Sequence, residues 1–153
     1  MRAIRTALAI GMGSLFEAMA AWGHEHHDHS PATGVVKERM DTMAEMGKRM
    51  KAISRRVRSG ETLAKVSEDA AFIRDTATKL IPLFPAGSTQ PPTEAASAIW
   101  RNFDDFAGKA KVLEREAAKL ATMKGVDAPS MARQVTTVVE ACSSRREKYR
   151  IKQ

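Results

Sequence analysis

I-W-R-N-F-D-D-F-A-G-K-A-K-V-L-E-R-E-A-A-K-L, Ile99 to Leu120, is the stretch on which the fold turns. Its apolar residues Ile99, Phe103, Phe106, Ala110, Leu113, Ala117 and Leu120 recur at alternating steps of four and three. That repeat lays one apolar stripe along an α-helix. The same spacing appears on either side. Val36, Met40, Met43, Gly47, Met50, Ser54 and Val57 predict a first helix over about 35–58. Val66, Ala70, Ile73, Ala77, Leu80 and Phe84 predict a second over about 62–84. Met131, Val135, Val138, Cys142, Arg145 and Tyr149 predict a last one that starts after Gly125 and Asp127. The breaker-rich link L-F-P-A-G-S-T-Q-P-P precedes Thr93 and Glu94, which read as the N-cap of the third helix, running to about Met123. No segment alternates as a strand does. The expectation is all-α: an antiparallel four-helix bundle over residues 35–153.

The N-terminus reads differently. Arg2 and Arg5 precede an apolar run of about ten residues and then small residues, the layout of a secretory signal peptide over 1–23. Cleavage fits after Ala20 or after Gly23. The run is too short to span a bilayer, so the mature form is expected without a membrane span and in the periplasm. Residues 24–34 lack apolar periodicity and read as a flexible, His-rich tail. A single cysteine, Cys142, cannot form an internal disulfide, so stability must come from packing or a ligand.

The formal charge is +7, and loss of Arg2, Arg5 and Glu17 with the signal (two positive, one negative) leaves +6. Lys and Arg are interspersed with Asp and Glu along every segment except the tail Arg145, Arg146, Lys148, Arg150, Lys152. That pattern is a solvated helix surface, and no nucleic-acid partner is expected. The helical body has no histidine to serve as a general base and no glycine-rich phosphate loop, so no enzyme is expected. Cys142 stands near Arg145 and Arg146, which would lower its thiol pKa. Its place on the apolar stripe argues instead for an inert core residue.

All four histidines, His24, His26, His27 and His29, lie in H-E-H-H-D-H. Imidazoles at that density suit copper or another divalent transition metal, with Asp28 or Glu25 in support. Cleavage after Gly23 would start the chain His24-Glu25-His26, whose amine, backbone amides and third-residue imidazole make a square-planar site. Met43, Met46 and Met50 add thioethers that select Cu(I), although Met40, Met43 and Met50 are also seam positions where Met fills a core.

The segments V-V-K-E-R-M-D-T-M-A-E-M-G, L-F-P-A-G-S and I-W-R-N-F-D-D-F, with a last helix ending in Cys142 and, seven residues on, Tyr149-Arg150, carry a family resemblance. Over roughly Thr33 to Lys152 the chain resembles cytochrome c-prime and its c-556 relatives. The resemblance implies haem c bound through C-x-x-C-H on the last helix, with a first-helix residue over the other haem face, and often a homodimer packed through the first two helices. Carried over residue by residue, the first cysteine is Cys142 and the distal position is Met43. Arg145 replaces the second cysteine, and Arg146 replaces the histidine ligand. A guanidinium stays protonated and cannot ligate iron as imidazole does. A cavity left by haem must collapse or be filled. Arg145 is therefore expected to reach into it, its stem on Trp100 or Phe103 and its head on a carboxylate or at the surface.

Three functions follow. The first is an exported bundle that has lost covalent haem and binds or buffers copper through the His cluster. The second is a haem-binding electron-transfer or gas-binding protein with atypical attachment, through Cys142 and Met43. The third is a haem-free structural or partner-binding bundle.

Overall fold

A computed structural model describes residues 32–60 and 63–151. Its helices are α1 (Gly34–Ser59), α2 (Leu63–Thr78), α3 (Ala98–Arg101), α4 (Phe103–Thr122) and α5 (Ala128–Tyr149), with a single 3-10 turn, Ile81–Leu83, after α2. The four long helices form the antiparallel bundle that the spacing predicts. Among them α2 packs along α4, α1 lies against α2, and α5 lies against α4.

Local chemistry sets the ends. α1 stops at Gly60, whose φ of 69° belongs to the left-handed region and whose N–H closes on Arg56 O. α5 starts at Asp127, whose carboxylate accepts the Ser130 N–H at 2.6 Å, with Pro129 in the first turn. The second and third helices differ from expectation. Pro82 has no N–H to extend α2, so the chain tightens into the 3-10 turn and then runs as a loop through residues 84–97. Thr93 caps no helix; its hydroxyl accepts from Arg39 Nη2 at 2.6 Å and from Ala95 N at 3.2 Å. Asn102, at φ −134° and ψ 47°, breaks the expected third helix into α3 and α4.

The predicted seams of α2 and α4 are the core. Val66, Ala70, Ile73, Ala77 and Leu80 face Phe106, Ala110, Leu113, Ala117 and Leu120, all buried. Phe103, beside the break, is 36% exposed and leaves the seam. Phe106 meets Phe84 edge-on at 4.6 Å and Tyr149 at 5.4 Å, joining the loop, α4 and α5. On α1 the buried residues are Val36, which is on the predicted seam, and Arg39, Met46 and Ile53, one strip over from it.

Three charged residues are buried on the bundle's flanks. Asp69 of α2 accepts Arg49 Nη1 at 2.8 Å and pairs with Arg56, stitching α2 to α1. Glu116 of α4 is held to a pKa of about 2 by Lys119 first, and then by Arg115 and Gln134, the last of which ties α5 to α4. Among the described residues Arg39 has no carboxylate partner. Its Nη1 donates to Leu83 O at 3.1 Å and Ser88 Oγ at 3.0 Å, and its Nη2 to Ser88 O at 2.9 Å and Thr93 Oγ1. The guanidinium also lies 4.9 Å from the Phe84 ring centroid.

Replacing Arg39 by Met strands the buried acceptors of Leu83, Ser88 and Thr93, so urea unfolding should show a loss of about 2–4 kcal/mol. Glu116, lowered from 4.5 to about 2 on folding, contributes stability that is complete above pH 4.5 and lost as pH falls through 2. Over that window the urea midpoint of the wild-type protein should fall more steeply than that of Glu116→Gln.

Candidate functional site

Beyond Val36, the strip of α1 that the spacing marks as core is only partly buried against the bundle core. Met40, Met43, Gly47, Met50 and Ser54 form one wall of a cavity of about 790 Å³ between α1 and α5. Ile73, Phe84 and Ile99 form its base. A Cβ on Gly47 would meet nothing within 4 Å, so this wall faces open space. The volume is that of a small-molecule site. Cys142, Arg145 and Tyr149, in phase on α5, face α1 across it.

The mouth is closed at one end by main chain. Ala96 N donates to Tyr149 O at 3.0 Å and Ile151 N donates to Glu94 O at 2.9 Å, so the loop and the end of α5 form an antiparallel bridge. Arg150 grips both Glu94 oxygens at 2.7 Å, which holds that carboxyl below its usual pKa. The Tyr149 hydroxyl donates to Asp105 on α4; burial, and then that bond, push the phenol pKa up.

Cys142 is half-buried and free. Burial pushes its thiol pKa up and outweighs the lowering by Arg145 and Arg146, so the reactive-thiol expectation gives way to the inert one. Arg145 reaches into the cavity as expected and is only partly shielded from solvent, and among the described residues its head meets no carboxylate. Its Nη2 donates to Met43 Sδ at 3.2 Å, and its Nε, shut away from solvent, has no partner. Burial lowers its pKa. Trp100, expected under the Arg145 stem, donates its Nε1 to Phe84 O and Pro85 O on the loop.

The structure thus brings Cys142, Arg145, Arg146 and Met43 to one cavity. Met46 and Met50 line it too, and Met46, read from the spacing as off the seam, is only 5% exposed. His24, His26, His27 and His29 lie outside the described residues. Among the described residues, no three His, Cys, Asp or Glu side chains gather as a metal site. Arg39 and the Glu94–Arg150 pair escape sequence reasoning, because their partners lie 44 or more residues away and follow no periodic signal.

Residues 34–150 match the family model described as Cytochrome C'. The chain belongs to this family. It is 32% identical over 124 residues to cytochrome c-556 of Agrobacterium fabrum, covering 79% of this chain and 84% of that one. It is 38% identical over 94 residues to cytochrome c-554 of Cereibacter sphaeroides, covering 58% and 71%. The solved cytochrome c' of Rhodopseudomonas palustris superimposes with a TM-score of 0.70 at 31% identity, covering 80% of this chain and 99% of that one.

Family membership overturns the expectation of copper as the cofactor with haem disfavoured. That expectation weighted the altered attachment motif above the rest of the chain, which matches the family over residues 34–150.

The raised thiol pKa has a direct reading. Iodoacetamide should alkylate Cys142 of the folded protein more slowly at pH 7 than a free cysteine, with the pH profile displaced upward, and the rate should recover in urea.

Proposed function

We propose that this protein is an exported, periplasmic haem-binding member of the cytochrome c' family, an electron-transfer or gas-binding protein and not an enzyme. The observation that carries this is the 790 Å³ cavity with Cys142 on one wall and the Met43 thioether on the other. The signal-like N-terminus supports export. Among the described residues, no helix is long and apolar enough to cross a membrane. Family membership also supports a homodimer.

The residues fit haem in the apolar base of Ile73, Phe84 and Ile99, in a cysteine positioned for one thioether, and in a soft axial donor opposite it. Lys51, Arg58 and Arg146 line the cavity as cations suited to propionates. They depart from the family pattern at Arg145 and Arg146, which remove the second thioether and the imidazole. Cys142 would hold the porphyrin edge and Met43 would face the iron, once its sulfur is released from Arg145. Bound there, haem supplies an iron that exchanges electrons and takes small gaseous ligands.

Full-length protein produced in a host with the c-type attachment machinery should show a Soret band that survives acid-acetone extraction, and Cys142→Ala should make that band extractable. An extractable band in the wild-type protein would remove the thioether and keep haem binding. No band, even after haemin is added to the purified protein, would refute the proposal.

A further inference from the structure

Arg145 presents a problem that haem iron does not solve. It carries a positive charge into the cavity, partly shielded from solvent, and among the described residues it has a thioether, a weak acceptor, on Nη2 and no partner on Nε. Burying a charge without a counter-charge is strongly unfavourable. The surroundings do not relieve it. Among the described residues the cavity is lined by seven basic side chains (Arg39, Lys48, Lys51, Arg58, Arg145, Arg146 and Arg150) against one carboxylate, Glu94, which Arg150 already holds in a two-toothed grip. Arg39 is different, since its four hydrogen bonds to the loop leave it well satisfied.

A second observation defines the rest of the ligand. Opposite and beneath the guanidinium the walls are thioethers, Ile and Phe: Met43, Met46, Met50, Ile73, Phe84 and Ile99. A small hydrated anion such as chloride or phosphate would satisfy the charge and waste these walls. A neutral apolar molecule would cover the walls and leave the charge unmatched.

We propose that the cavity recognises an apolar molecule bearing a carboxylate, and that Arg145 pairs with that carboxylate inside the protein. The guanidinium offers a planar fork that matches a carboxylate with two parallel hydrogen bonds, and its Nη2 holds only a thioether in the ligand-free arrangement. Two sources share this chemistry: a porphyrin propionate, and a free acid with a long-chain or aromatic body. The inference concerns the cavity of the haem proposal but does not depend on iron or on Cys142, because it follows from the charge and the walls alone.

The test uses the haem-free full chain and two pairs of iron-free fluorescent probes: cis-parinaric acid with its methyl ester, and protoporphyrin IX with its dimethyl ester. Each pair has the same apolar body and differs in the carboxylate. The wild-type protein should bind acid at least about tenfold tighter than ester for one pair or both. Selectivity for the porphyrin pair alone assigns the site to a propionate, and selectivity for the parinaric pair as well assigns it to apolar acids generally. Arg145→Met should bring the acid-to-ester ratio close to one, and Arg145→Lys should keep part of it. Arg145→Met should also raise the thermal midpoint of the ligand-free protein, because an unmatched buried charge has gone. Equal binding of acid and ester by the wild-type protein, failure of both acids to bind, or a ratio that survives in folded Arg145→Met would overturn the inference. Because the probes contain no iron, this result is separate from the Soret measurement, and either proposal can fail while the other stands.

Discussion

The framework hangs on the buried guanidinium of Arg39. The loop through residues 84–97 has no regular structure to hold it, and main-chain groups without partners cannot be left inside a protein. Arg39 supplies the donors, fastening Leu83, Ser88 and Thr93 to the first turns of α1. From Thr93 the chain passes directly into Glu94 and Ala95, which bridge to the end of α5. One side chain on α1 therefore fixes the loop, and the loop fixes α5. The space between α1 and α5 is framed by these ties together with the contact of Arg145 on Met43.

That framing lets α1 serve two masters. Val36, Met46 and Ile53 enter the core with the α2 and α4 seams, while Met40, Met43, Gly47 and Met50 remain on the cavity wall. A bundle with a single stripe per helix would close over its interior. Here the apolar surface of α1 is wide enough to supply both a core face and a binding face. α5 shows the same division along its length: Met131, Val135 and Val138 are buried against the bundle, and one or two turns later the stripe emerges at Cys142 and Arg145 into the cavity.

Within the cavity, electrostatics distinguishes this chain from the pattern its family resemblance implies. Two positions that would attach and ligate haem carry guanidinium groups, one partly buried and one exposed. The nearby charges do not make Cys142 an acid thiol, because loss of hydration at that depth outweighs them. The same depth makes the Arg145 charge consequential. At the surface it would be one more solvated cation among many, whereas on the cavity wall it selects for the sign of whatever enters.

The four long helices, their order and the family resemblance were legible in the sequence, because a 3.6-residue period is a local property that each segment carries by itself. The seams of α2 and α4 needed nothing further, since each faces a neighbour along its whole length. Periodicity could not show which of two adjacent strips on α1 would meet the core, for both are apolar and the decision belongs to the partner helices. Nor could it separate core from cavity at Met43 and Cys142, where an apolar residue reads alike whether it faces a side chain or open space. Thr93 went to the loop because Arg39 bonded there, a partnership across more than forty residues that no local pattern records. The sequence by itself determined the helices and what each could bury. Only the tertiary structure decided where burial stopped, and therefore that Arg145 stands inside a cavity with its charge unmatched.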